Sequence, residues 1–277
     1  FDASGLQWTI AGEVKGFNPE LYLHKKEVIK LDPFIHYAVA SAMMAAEDAG
    51  LMRQASSVEH QALRASLNSA GVIIGSSRGG ITTIERELQK IYSSRFTHQA
   101  SRITSYLMPS TTISMAASYM AQKLGITKHC LGISNACASG TNAIGEAYRL
   151  IKHGYADIII AGGTEAPICS LCIEGYGVSG ALSKINNPSA SRPFDKKRDG
   201  FVIAEGACIL ILEDYESALK KGSNIYAELI GYGNTTDSYH ITKPDIKGVK
   251  KAIIDALKDA GVSADDIDYI NTHGTST

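Results

Sequence analysis

A charge imbalance is missing from this sequence: 27 Lys and Arg meet 28 Asp and Glu, a formal net charge of −1. A whole-chain polyanion binder, nucleic-acid proteins included, is therefore not expected, although a local basic patch is compatible with that balance. Cysteine is sparse as well. Five in 277 residues make no disulfide framework, and the odd count leaves one thiol over. A reducing, cytoplasmic compartment is expected. Long apolar runs are lacking: Asp157-Ile-Ile-Ile-Ala161 and Cys208-Ile-Leu-Ile-Leu212 fall far short of the roughly 20 residues of a membrane span. There is no signal-peptide pattern, no Pro- or Gly/Ser-rich linker and no short repeat. The chain starts at Phe1 and stops inside a Gly-Thr-Ser-Thr run, so a piece of a longer protein is expected.

What is present is alternation. Gly71–Gly75, His129–Ser134, Asp157–Ala161, Cys208–Leu212 and Tyr226–Ile230 are short, β-branched runs bounded by turn residues, with Asp268–Asn271 a shorter case. Helical patterns lie between them. Asp32 with Pro33 opens one that runs to Gly50; others cover 111–124, 139–152 and 215–221, and Asp245 caps one ending near Gly261. This predicts an α/β protein with largely buried strands. The close succession of strands around Cys208–Ile230 predicts a mixed sheet.

The sharpest feature is Ile133-Ser-Asn-Ala-Cys137-Ala-Ser-Gly-Thr-Asn-Ala143, where a strand ends, small residues turn and a helix begins. Unpaired N–H groups and the positive dipole end favour an anion there, and for cysteine the anion is the nucleophilic thiolate. The turn resembles the elbow that presents a nucleophilic Ser in hydrolases. The Cys137 N–H is placed to help bind a developing oxyanion. A nucleophilic cysteine needs a partner. The best candidate is His273, which follows the short strand pattern at a strand's carboxyl end, where α/β sites gather. The hydroxyls of Thr275 and Thr277 point to a polar ligand nearby. His24, His36, His60, His98 and His153 read as structural or solvated, and His240, in a loop with Asp237 and Thr242, is intermediate. Cys169-Ser-Leu-Cys172 invites a zinc or redox reading, but no second Cys/His pair stands nearby. The segment reads as an apolar loop rather than a strand-to-helix junction, so the pair counts as bystanders.

Together these residues resemble the β-ketoacyl-acyl carrier protein synthases, most closely the elongating class with a Cys-His-His site and a thiolase-like fold. Asn135-Ala-Cys137-Ala-Ser-Gly resembles the family's nucleophile motif, and Ala161-Gly-Gly-Thr-Glu165 the strand end that follows. Ser191-Arg-Pro-Phe-Asp195 and Arg198-Asp-Gly-Phe201-Val-Ile-Ala-Glu-Gly206 resemble a long family block, and Thr272-His273-Gly-Thr-Ser-Thr277 the first-histidine motif. The resemblance implies a layered α-β-α-β-α fold with its first half (1–212) nearly complete but for one strand, and its second half (213–277) truncated. The family's second histidine, its lysine and glutamate and its glycine-rich Phe loop fall outside these residues. It implies a decarboxylative Claisen condensation with Cys137 as acyl acceptor and His273 stabilising the enolate. Thr275, Thr277 and, more weakly, Thr242 would bind the pantetheine arm. No metal or redox cofactor is implied; the phosphopantetheine arrives on acyl carrier protein. Partners would be that carrier and a second copy in a homodimer, with no nucleic acid and no membrane.

Arg78, in Gly75-Ser-Ser-Arg78-Gly-Gly80, takes a position that is small or apolar in elongating members and touches the acyl end. Either Arg78 points elsewhere or the acyl group is short or polar, because burying an unpaired charge is costly. Tyr176 takes a pocket position that is usually Phe. Lys25, Lys26 and Lys30 resemble the basic segment that meets the acidic carrier. The competing readings are a non-catalytic chain-length-factor-like subunit, which Cys137 disfavours, a thiolase, and a cysteine hydrolase.

Overall fold

The computed structural model describes residues 1–52, 67, 69–97 and 103–277, with side chains for all of these except 95–97. His60 and His98 lie outside them. Four strands form one sheet in the order β2-β1-β3-β4: β1 Gly71–Gly75, β2 Cys130–Ile133, β3 Ile158–Glu165 and β4 Gly206–Glu213. The first three are parallel, with Ile73 opposite Leu131 and Ala161; β4 runs antiparallel to β3, pairing Ala161 with Leu210. The mixed sheet expected from the sequence is present.

Both faces of the sheet are covered, which is why β1 is buried along its whole length. On one face Val72, Ile74, Ile158 and Ile160 pack under α2 (Pro33–Asp48) and α5 (Met115–Leu124), against Phe34, Ala38, Ala42, Ala117 and Met120. On the other, Ile73, Ile159 and Ala161 meet Ala143 and Ala147 of α6 (Ser139–Lys152). Each such fully buried aliphatic side chain stabilises the fold by about 1.5–3 kcal/mol relative to exposure. A third cluster joins Trp8, Cys169, Cys172, Ile173, Leu182 and Ile203 beside the sheet.

The helix starts follow the caps. Asp32 accepts from the Phe34 N–H at 3.0 Å, with Pro33 at the first helical position. Its other oxygen accepts from Thr83 N at 2.8 Å, so one buried carboxylate fastens the starts of α2 and α3 (Ile81–Thr97). Asp245 caps α9 (Ile246–Ala260) through Lys247 N. Further α-helices among the described residues are α1 (Lys25–Lys30), α4 (Leu107–Thr111), α7 (Ser170–Val178) and α8 (Tyr215–Lys221).

Three expectations change. The single helix over 111–124 is two, α4 and α5, separated where Thr112 turns extended. The Thr111 and Thr112 hydroxyls donate to the carbonyls of Leu107 and Met108 at 2.7 and 2.8 Å, competing with the backbone ladder. Tyr226–Ile230 and Asp268–Asn271 are not strands. A strand needs a neighbour, and neither has a ladder partner among the described residues. Cys169-Ser-Leu-Cys172 is not a loop: Cys169 is the N-cap of α7.

Candidate active site

Cys137 stands exposed in a tight elbow between β2 and α6. Ala136 has φ of 48°, a left-handed conformation that costs a residue with a side chain about 1 kcal/mol or more. The turn is closed from within. Ser139 Oγ accepts from Asn135 N at 2.8 Å and donates to the Ala136 carbonyl at 2.6 Å, while Ala138 N donates to the Asn135 carbonyl. Small residues let this elbow press on the sheet. A Cβ on Gly75 would lie 2.2 Å from the Ser139 carbonyl carbon, and one on Gly163 would lie 3.1 Å from Gly140 Cα. The sulfur is thus held just ahead of a helix N-terminus at the sheet's carboxyl edge, where α/β proteins bind ligands.

Glu165, at the end of β3, anchors the neighbouring loop. Its carboxylate accepts from Ser77 N and from Ser76 Oγ. Burial pushes its pKa up, outweighing those hydrogen bonds and the nearby Arg78 charge. Sequence reading had assigned Glu165 no role beyond its motif; only the return of β3 beside β1 reveals the contact.

The second constellation is the turn carrying His273. Gly274 and Ser276 both have positive φ, 47° and 67°, and Ser276 is buried. The Ser191–Gly206 block cradles it. Gly200 N donates to the Ser276 carbonyl at 3.0 Å, Arg192 N to Ser276 Oγ at 3.0 Å, and Arg198 Nε to the Thr277 carbonyl at 2.9 Å. Two motifs far apart in sequence thus form one unit. The cradle residues Arg192, Arg198 and Ser276 had been noted only as members of those motifs. Thr275 and Thr277 share a hydrogen bond at 2.6 Å and line an open cleft of about 290 Å³ with Phe194 and Arg198. His273 is exposed beside it. Among the described residues no hydrogen bond joins Cys137 to His273.

The other candidates divide. Arg78 does not point away from Tyr176: its Nε donates to the Tyr176 hydroxyl at 2.9 Å, and its guanidinium lies 5.2 Å from the ring centre. Tyr176 in turn meets Phe201 edge-on, with ring centres 5.4 Å apart. Lys25 and Lys26 are exposed on α1, whereas Lys30 is held, its Nζ donating to the Tyr106 hydroxyl at 3.2 Å. Thr242 closes a small turn on His240, whose Nδ1 accepts from the Thr242 N–H at 3.1 Å. No group of three or more metal-ligating side chains occurs among the described residues, nor any helix long and apolar enough to cross a membrane.

A cysteine on a strained elbow at the edge of a mixed sheet, with a His-Gly-Thr-Ser-Thr turn docked on the same half, is the arrangement of a thiolase-like condensing fold. Residues 4–218 match the family model "Beta-ketoacyl synthase, N-terminal domain", and residues 226–277 match "Beta-ketoacyl synthase, C-terminal domain". The chain belongs to the β-ketoacyl synthase family. It is 42% identical to 3-oxoacyl-[acyl-carrier-protein] synthase 2 of Synechocystis sp. over all of this chain and 64% of that protein. The solved ishigamide ketosynthase/chain length factor superposes with a TM-score of 0.87 at 32% identity, covering 100% of this chain and 65% of that one. A ketosynthase structure described as a type II PKS acyl-carrier protein in complex with its ketosynthase gives 0.83 at 32%, over 100% and 66%. The chain therefore spans just under two thirds of the length of the curated relative it matches.

Proposed function

We propose that this chain carries the acyl-accepting half of a 3-oxoacyl-[acyl-carrier-protein] synthase, a decarboxylative Claisen condensing enzyme. The exposed Cys137 on its positive-φ elbow is the observation that carries the reading. The Cys137 thiolate attacks the thioester carbonyl of an acyl carrier protein, forming an acyl-enzyme and releasing the carrier's pantetheine thiol. The Cys137 N–H is half of the oxyanion hole. Malonyl carrier protein then loses carbon dioxide, and His273 donates a hydrogen bond to the enolate oxygen that forms. The enolate carbon attacks the acyl carbonyl and Cys137 leaves as thiolate, yielding a β-ketoacyl thioester. Thr275 and Thr277, lining the cleft, bind the pantetheine arm, with Thr242 a further contact. Lys25, Lys26 and Lys30 meet the acidic carrier. Arg78 and Tyr176 together cap the acyl pocket with polar groups, which suits a short or polar acyl chain.

No resident cofactor enters this sequence of steps; the prosthetic arm arrives on the substrate. The two halves divide near residue 212. A homodimer in the cytoplasm completes the reading.

The test is acylation of the full-length protein. Intact-mass spectrometry after incubation with an acyl carrier protein thioester is expected to show one acyl adduct, absent in Cys137→Ala. No adduct, or one that survives the substitution, overturns the assignment. Arg78→Ile is expected to shift preference toward longer acyl chains; an unchanged preference removes the capping role.

The non-catalytic chain-length-factor-like reading is kept as second because a ketosynthase/chain length factor is among the similar structures. The exposed nucleophile speaks against it, and the acylation experiment separates the two.

A further inference from the structure

The Cys169–Cys172 pair was set aside as part of a loop, and the structure removes that objection. Cys169 is the N-cap of α7 and Cys172 sits three residues on, in its first turn. Across one helical turn that spacing puts the two Cα atoms about 5 Å apart, inside the window a disulfide needs. N-cap and N3 side chains face each other, as in a capping box. Each thiol lies close enough to shift the ionisation of the other.

Capping does not explain the cysteine. Cys169 makes no cap hydrogen bond, and cysteine is not among the preferred N-cap residues. The cap is supplied by Glu85 of α3, whose carboxylate accepts from Ser170 N at 3.2 Å and from Leu171 N at 2.6 Å. Glu85 thus leaves the Cys169 thiol free for Cys172. Both cysteines are buried at 8% residue exposure in their cluster.

The thiols are also unequal. Interaction with Cys169 brings the Cys172 thiol down against burial, and the Arg78 charge adds to that. The same interaction and burial push Cys169 up.

We propose that Cys169 and Cys172 form a reversible redox dithiol, oxidised to a disulfide by peroxide. Cys172 thiol and hydrogen peroxide give a sulfenic acid and one water. The Cys169 sulfur then attacks the sulfenic sulfur, forming the S–S bond and releasing a second water. Two thiols are oxidised and one peroxide O–O bond is cleaved and reduced. The disulfide pins the first turn of α7. Tyr176, one turn beyond Cys172 on the same side of the helix, carries the Arg78 contact, so the state of the pair is felt at that contact.

The experiment does not use condensing activity, so it can fail or succeed independently of the proposed function. The chain with Cys130→Ser, Cys137→Ala and Cys208→Ser keeps only this pair, since those three cysteines are the exposed ones. Treatment with one equivalent of hydrogen peroxide is expected to remove the mass of two hydrogens and to be reversed by dithiothreitol. Phenylarsine oxide, a vicinal-dithiol probe, is expected to bind the reduced form and not the oxidised one. The same loss is expected in the 169–172 peptide of the unsubstituted chain, which keeps the test open should the triple variant fold poorly. Addition of oxygen atoms without loss of the two hydrogens overturns the proposal. So does a pair that remains fully alkylatable after oxidation.

Discussion

Helices α2 and α9 are of similar length, each begins on an aspartate cap, and each carries an apolar stripe. Yet α2 buries Phe34, Ile35, Ala38, Val39, Ala42 and Ala46, whereas α9 buries no residue at all. Ile246 is 81% exposed and Ile253 51%. The difference teaches that patterning makes a helix but not a core. The stripe of α2 lies on a sheet with strands on both sides. Along α9 run the extended residues around Gly231 and Gly233, which approach Ala256 and Ala252 closely but bring no ladder with them.

The comparison is broken most severely where backbone meets backbone. Gly75→Ala places its Cβ 2.2 Å from the Ser139 carbonyl carbon, and flexible side chains cannot absorb that. It is expected to cost at least about 3 kcal/mol and to distort the elbow, read by urea denaturation. Next comes the core. Phe34→Ala is expected to cost about 3–5 kcal/mol, against less than about 1 kcal/mol for Ile253→Ala in α9. Equal losses would show that α9 is packed as α2 is. The caps sharpen the contrast further. Asp32→Ala leaves two buried N–H groups without an acceptor and is expected to cost about 2–3 kcal/mol; Asp245→Ala should cost about 1 kcal/mol.

The smallest effects are in pH dependence. Burial opposes ionisation of Glu27, but hydrogen bonds from Lys123, Tyr119 and His24 N bring its pKa down to about 2. A depressed acid stabilises the fold fully above its unfolded pKa of about 4.3, and loses that contribution as pH falls toward its folded value. Glu27→Gln is expected to flatten the acid limb of the stability curve in that window. Asp259, lowered by Lys152 and the Tyr232 N–H at the surface, is expected to give a smaller change when replaced by Asn.

Local signals were legible where local chemistry decides. Asp32-Pro33, the span Ser139–Lys152, the short helix Tyr215–Lys221 and the elbow at Cys137 can all be read from residue order, because caps, helical periodicity and small-residue turns act within a few residues. The β-branched run Tyr226–Ile230 shows the opposite. Its composition favours a strand, but whether it becomes one depends on a neighbour that composition does not name. The Arg78–Tyr176 hydrogen bond and the cradle around Ser276 join residues 98 and 84 positions apart, so resemblance could place these residues in motifs without giving their contacts. The Cys169 segment was misread because its apolar residues hid a helix start whose cap comes from Glu85 on another element.

The Ala136 conformation has a bearing on how robust this protein can be made. Glycine adopts a φ of 48° without steric penalty, so Ala136→Gly removes strain there, at the cost of a floppier unfolded chain. It also removes the methyl group that keeps the turn from exploring neighbouring conformations. An engineer screening for heat resistance would be drawn to that position, while an engineer screening for turnover would be warned off it. The elbow is a place where durability and chemical aim are set against each other within a single residue.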